Sequence, residues 1–190
     1  MFILGSASTS RLQILKKIGF TPHLQESSEI DETQLKKESP KMLSQRLAKQ
    51  KGLKLSEKYP ESAILSADTV VAIGRSIIDK CNTKKEVEAA MLKLSGKGHK
   101  VITTVCITFQ GKQKIRTTET KIKFKRLTMQ EIEMFVKTDE GLGKAGGYSI
   151  TGFAESFILQ INGSVSGVIG LPSYETVNLL QSVGIKRSLD

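Results

Sequence analysis

The sequence predicts a mixed α/β sheet in one compact unit, and three observations carry that expectation. Runs with strand character alternate with runs of helical periodicity along the whole chain. The 190 residues amount to about one domain by length, enough to bury a core without staples. No internal repeat or low-complexity linker divides them.

Met1 to Leu4 is a short apolar run that breaks into Gly5-Ser6-Ala7-Ser8-Thr9-Ser10. Leu12, Leu15 and Ile18 then recur at helical spacing, with Gly19 as the stop. Strand, small-residue loop and helix in that order point backbone N–H groups at an anion. A short extended piece lies near His23 to Gln25, followed by a polar stretch that ends in Glu29-Ile30-Asp31-Glu32. Ser39-Pro40 reads as an N-cap with proline at the first helical position, and Tyr59-Pro60 as that helix's stop. Ser62 to Ile73 is a β-rich run closed by Gly74-Arg75. Thr83 to Ser95 is helical, with Val87, Ala90, Met91 and Leu94 on one face. Lys100 to Phe109 and Lys114 to Phe124 read as two strands joined at Gln110-Gly111. Thr128 and Glu131 have capping-box spacing and open a helix to about Lys137. Glycine-rich loops from Gly141 to Gly152 precede a mixed segment. Gly163 to Pro172 reads as loop, and a last helix runs from Ser173 to about Val183.

Hydrophobic residues at 38% and charged residues at 25% exclude a disordered tail, a collagen-like fibre and a disulfide scaffold. Cys81 and Cys106 have no metal-ligand spacing, so a reduced, cytoplasmic setting is expected. No signal peptide is read, and the longest uncharged run, Ser156 to Tyr174, is too polar to span a bilayer, so no membrane partner is expected. The net charge of +10 attracts anions, whether nucleic acid, acidic membrane or phosphorylated metabolites. Aromatics at 5% and the lack of Trp leave few platforms for stacking single strands. A small polyanionic ligand remains open and nucleic acid is not the expected partner; the alternative is a Lys-rich surface that is simply solvated.

Three charged residues stand where charge is costly. Asp68 interrupts an apolar strand and shares a face with Ile64, Ser66 and Val70. A buried carboxylate there needs a cation; the alternative is an Asp capping a strand end. Lys51 follows Leu43 and Leu47 on one helical stripe, so its ammonium rides the core-facing side or snorkels past it. Arg11 falls in the first turn of the first helix, where a cation opposes the dipole unless an anion sits nearby. Gly141-Leu-Gly-Lys-Ala-Gly146 has the letters of a dinucleotide fingerprint, but a helix precedes it and only a short chain follows, which excludes that use. Its backbone N–H groups and Lys144 can still cradle phosphate. No P-loop is present. His23 and His99 lack ligand spacing and read as structural, with a catalytic role for either as the alternative.

Seven segments together resemble the Maf family of nucleotide pyrophosphatases. They are Leu4-Gly-Ser-Ala-Ser-Thr-Ser-Arg11, Ile30-Asp-Glu32, Arg46-Leu-Ala-Lys-Gln-Lys51, Ser66-Ala-Asp-Thr-Val-Val71, Leu94-Ser-Gly96 with His99, Gly143-Lys-Ala-Gly146 and Gly170-Leu-Pro172. They occur in family order and cover nearly the whole chain, residues 1–190 as one domain. The resemblance implies a long mixed sheet flanked by helices, in two lobes with a central active-site cleft. It implies hydrolysis of a nucleoside triphosphate to a monophosphate and pyrophosphate with a divalent cation, Mg²⁺ or Mn²⁺. By motif, Asp68 is the expected proton acceptor or metal-site carboxylate and Glu32 the second acidic group. Ser6, Ser8, Arg11, Lys51, Lys80 and Lys144 are the expected phosphate-side residues. A triphosphate needs several cations, and a metal on carboxylates lowers the pKa of an attacking water, which gives the three costly charges a cause.

The departures from the family concern the base. Where many members read Ser-Pro-Arg-Arg, this chain has Ser8-Thr-Ser-Arg11, so Ser10 replaces the first arginine. The usual Gly-Lys-Pro is Asp79-Lys80-Cys81. The branch that prefers dTTP and UTP has Gln where Thr151 stands; the branch acting on 7-methyl-GTP has Glu there and differs at the residue after the catalytic Asp. Thr69 favours the pyrimidine branch. Ser10, Thr69 and Thr151 are thus the candidate specificity positions. The expected substrates are the pyrimidine nucleotides dTTP and UTP or modified nucleotides; the alternatives are the 7-methyl-GTP activity, a phosphatase releasing orthophosphate, and a non-catalytic basic protein that binds nucleic acid or regulates. A homodimer is also left open.

Overall fold

The computed structural model describes residues 1–188. Its seven strands are β1 (Phe2–Gly5), β2 (Leu24–Gln25), β3 (Ala63–Ile73), β4 (Ser76–Ile78), β5 (Gly98–Phe109), β6 (Lys112–Phe124) and β7 (Ile158–Asn162). The helices are α1 (Thr9–Lys17), α2 (Pro40–Lys58), α3 (Lys84–Leu94), α4 (Met129–Lys137), α5 (Val165–Ile169) and α6 (Ser173–Gln181). The strands form one sheet in the order β2-β1-β3-β5-β6-β7, with β4 folded back onto β3. β1 runs parallel to β2 and β3, and the other pairings are antiparallel. The sheet is therefore mixed, as the alternation of elements implies.

The two-residue period of β3 organises everything around it. Its even residues meet α2: Ile64 packs with Leu55, Ser66 Oγ donates to the Ala48 carbonyl at 2.7 Å, and Val70 packs with Leu43 and Leu47. A Cβ at Gly52 would collide with Thr108 Oγ1 and Ser66 Oγ, so glycine lets α2 lie close to the sheet. The odd residues Leu65 and Ala67 enter a core with Leu15, Phe20 and Leu180. Further along, Val71 joins a second core with Met91, Phe124, Phe135 and Phe157. Two cores along one long sheet give two lobes. Each fully buried Leu or Phe contributes roughly 1.5–3 kcal/mol by leaving water.

Local signals set most boundaries. Ser39 Oγ accepts from the Met42 N–H, and both Thr83 and Thr128 form reciprocal capping boxes with Glu86 and Glu131. The first helix starts earlier than its apolar spacing implies, because the Ser8 side chain caps it. The Gly163–Pro172 stretch, expected as loop, contains α5. Ser164 Oγ caps that helix by accepting from the Gly167 N–H at 3.0 Å, which outweighs the poor propensity of its glycine. The mixed segment holds a 3₁₀ turn, Phe153–Phe157, and the edge strand β7. Among the described residues no helix is long and apolar enough to cross a membrane.

Candidate active site

A cleft of about 760 Å³ opens where the end of β1, the middle of β3, α2 and the loops at Asp79–Lys80 and Gly143–Thr151 converge. Ser6, Ser8, Ser10, Arg11, Glu32, Lys51, Asp68, Thr69, Lys80, Lys144 and Thr151 all line it. A second hollow of about 320 Å³, on the outer sheet face by Lys100, Lys121 and Lys123, contains none of them.

Asp68 lies mid-strand, not at a strand end. Its side chain is 8% exposed, and Oδ1 accepts from Lys51 Nζ at 2.8 Å. Lys51 Nζ also lies 2.8 Å from Glu32 Oε1, so one ammonium bridges two carboxylates. Lys51 is 12% exposed and Glu32 58%, so the triad runs from the cleft floor to its rim. Asp68 Oδ2 is buried and has no hydrogen-bond partner among the described residues. An orphaned carboxylate oxygen is costly in a native fold, so this atom is suited to bind a ligand.

Opposite this triad lies the loop between β1 and α1. Ser6 Oγ accepts from the Ser8 N–H at 3.2 Å and from Arg11 Nη1 at 3.0 Å, and Ser8 Oγ caps the helix by accepting from the Arg11 N–H. Both hydroxyls keep a proton to donate. Among the described residues, the N–H groups of Ala7, Thr9 and Ser10 have no acceptor, as expected for an anion cradle at a helix start. Burial pulls the Arg11 guanidinium below its ordinary value, while the charges of Asp68 and Glu32 pull it back up. Gln25 was not expected here. Its Nε2 donates to the carbonyls of Ser6 at 2.8 Å and Ser8 at 3.3 Å, holding the loop in shape. Its place at the end of a two-residue strand left no periodic signal.

The glycine-rich loop works differently from the expectation of a backbone cradle. The Gly143 N–H donates to Cys81 O at 2.7 Å, the Gly146 N–H to Asp79 O at 3.2 Å, and the Gly147 N–H to Lys144 O at 3.0 Å. These donors are spent on the protein. The loop is stapled to Asp79–Cys81, which brings Lys80 and Lys144 to the cleft together; Lys80 itself bridges to Ala145. Gly146, at φ 73°, presses on the Val71 side chain, so a Cβ has no room there. Thr151 is exposed, with Oγ1 3.3 Å from Ser149 Oγ. Tyr148 lines the cleft and is held from behind by His99, whose Nε2 lies 2.6 Å from the tyrosine hydroxyl. Burial pushes the His99 imidazole down to about 4 and the Tyr148 hydroxyl up. His23 Nδ1 accepts from the Phe2 N–H at 3.2 Å, a structural contact as expected.

Among the described residues no group of three or more His, Cys, Asp and Glu side chains could hold a metal unaided. Asp68 Oδ2 and Glu32 nonetheless suit a hard divalent cation, which takes one or two carboxylates and completes its shell with water and substrate phosphates.

Fold and cleft define a class of protein: a long mixed sheet in two lobes, with a cation-lined cleft around a buried carboxylate. The chain belongs to the Maf-like protein family, whose profile matches residues 1–183. It is 45% identical to a nucleoside triphosphate pyrophosphatase of Neorickettsia sennetsu, over 97% of this chain and 88% of that protein. It is 42% identical to a dTTP/UTP pyrophosphatase of Chelativorans sp., over 99% of this chain and 93% of that one. Among solved structures, that of the Staphylococcus aureus Ham1 protein superposes over 96% of both chains with a TM-score of 0.50. At 9% identity that likeness bears on the fold alone.

Proposed function

We propose that this protein hydrolyses nucleoside triphosphates between the α- and β-phosphates, releasing a monophosphate and pyrophosphate, with a preference for dTTP and UTP. The observation that carries the reading is Asp68: buried in the cleft, one oxygen fixed by Lys51 and the other without a partner. A carboxylate held this way can orient a water and take its proton as the bridging P–O bond breaks. The oxygen of that water stays on one phosphate product, and pyrophosphate leaves with the bridging electron pair. Arg11, Lys80 and Lys144 converge with the free loop N–H groups on the space the triphosphate would fill. Asp68 and Glu32 would hold Mg²⁺ or Mn²⁺, which supplies charge neutralisation and a more acidic water. The names of the relatives support the substrate class, and the dTTP/UTP pyrophosphatases among them support the pyrimidine preference. Cys81 and Cys106, both buried and free, suit a cytoplasmic enzyme.

The test is a panel of canonical nucleotides, 7-methyl-GTP and modified nucleoside triphosphates with Mg²⁺ or Mn²⁺. The reading requires equal yields of pyrophosphate and monophosphate, and loss of turnover on chelation. Orthophosphate as first product would make the protein a phosphatase. No turnover, with salt-sensitive nucleic-acid binding instead, would make it the non-catalytic alternative.

A further inference from the structure

Thr103 lies outside the cleft, fully buried at the middle of β5 and directly opposite Thr69 in the register. Its hydroxyl is 2.7 Å from the Gly167 carbonyl and 2.9 Å from Thr69 Oγ1. A carbonyl only accepts, so the single proton of Thr103 goes to Gly167. The Thr69 proton must then go to Thr103, and the Thr69 oxygen accepts from Arg11 Nη2 at 3.3 Å. The donor order is fixed: Arg11, Thr69, Thr103, Gly167. Any other order leaves lone pairs facing one another inside the protein.

The same arginine is held from a second direction. Its Nε donates to the Gly170 carbonyl at 2.9 Å, and Nη1 to Ser6 Oγ at 3.0 Å. Gly170 is the C-cap of α5, at the helix end whose carbonyls attract a cation. Gly170 has φ 123°, and a Cβ there would lie 3.2 Å from Arg11 Nε, so glycine alone permits this approach. Three of the five guanidinium N–H groups are thereby used. One remains on each terminal nitrogen, free for a phosphate.

We infer that Thr103 is a positioning residue for the reaction, fixing Arg11 through Thr69, and that Thr69 acts as a buttress of the arginine and not as a reader of the base. The inference rests on the triphosphate reading of the cleft. It also recasts the family difference at the residue after Asp68: the side chain there sets the angle of a phosphate ligand.

The test uses Thr103→Val, which keeps the shape but loses the hydroxyl, and Thr103→Ser, which keeps it. Two readouts are taken: KM and kcat for dTTP, and the affinity for inorganic pyrophosphate with Mg²⁺. Thr103→Val should raise both KM and the pyrophosphate Kd about threefold to tenfold, with kcat changed less. Thr103→Ser should restore both. In an Arg11→Lys background the valine exchange should add less than about a further twofold, since its route of action is already cut. An equal rise in both backgrounds, or a loss of melting temperature with KM unchanged, would overturn the inference in favour of a merely structural threonine. Thr69→Val cuts the same chain one link earlier and serves if Thr103→Val does not fold. It should weaken all bases alike, and a changed base profile would sink the buttress role. If the wild type binds pyrophosphate but releases none from triphosphates, the hydrolytic reading fails, while the pyrophosphate series still decides the relay.

Discussion

Replacing Asp68 by Asn is the sharpest perturbation of the proposed chemistry. The amide fills the same volume, and its oxygen can still accept from Lys51 Nζ at the 2.8 Å seen for the carboxylate. What changes is charge and basicity. A positioned base contributes typically 10²–10⁴-fold, so kcat should fall about a hundredfold or more while KM moves little. Stability should change less. Breaking a fully buried pair costs about 3–5 kcal/mol, but here Lys51 keeps the Asn oxygen and the Glu32 carboxylate, which sets that figure as an upper bound. The new Nδ2 replaces an oxygen that already lacked a partner, adding about 1–3 kcal/mol of unmet hydrogen bonding at most. Each kcal/mol moves the melting temperature of a chain this size by roughly 2–4 °C, so a thermal melt reads the loss directly. Pyrophosphate release under saturating dTTP gives kcat, and a thermal melt gives the folded fraction. A folded Asp68→Asn protein within about threefold of wild-type kcat would refute the base assignment.

Glu32→Gln removes the exposed partner of Lys51, so the Mg²⁺ concentration giving half-maximal rate should rise severalfold with kcat at saturating metal largely kept; an unchanged metal titration counts against a ligand role. Thr151→Gln should sharpen selectivity for dTTP and UTP in kcat/KM, because the exposed Thr hydroxyl is too short to span a base edge without a water; an unchanged substrate profile would place recognition elsewhere. His99 gives a pH dependence. Its folded value of about 4 lies below the ordinary 6.5, so the unfolded chain binds the proton first as pH falls. Stability from this group is complete above about pH 6.5 and is lost towards pH 4, by up to about 3 kcal/mol. His99→Gln should flatten that slope in urea unfolding curves, and an identical slope would remove the assignment.

The costly residues were the legible ones. Asp68 and Lys51 each break an apolar pattern, and the cause is their contact with each other across α2 and β3. The period-2 reading of β3 placed Ile64, Ser66, Asp68 and Val70 on one face, and α2 covers that face. Glu32 breaks no pattern, since an exposed loop carboxylate costs nothing, and it entered only through family resemblance. Short elements were illegible for a related reason. In α5 and β7, hydrogen bonds to α5's own cap and to the neighbouring strand outweigh weak local preference. The Gly141–Gly152 loop shows the limit of composition. Glycines there allow a phosphate cradle or a tight staple equally, and only the partner at Asp79–Cys81 decides for the staple.

Charge offers a last consistency argument. Arg11, Lys51, Lys80 and Lys144 line the cleft with Glu32, Asp68 and Asp79, so the cations exceed the carboxylates by one. A triphosphate brings about four negative charges and a divalent cation takes back two, so the loaded cleft would lie within about one charge of neutral. Lys51 holds the two carboxylates of the cleft together. By bridging both carboxylates it spares the fold two uncompensated anions until substrate and metal arrive together. The order of cost explains why a lysine occupies that stripe of α2 when every neighbouring position on it, Leu43 and Leu47, is apolar. Lys51→Met would fit the stripe better and strand Asp68 without the one side-chain partner it has among the described residues.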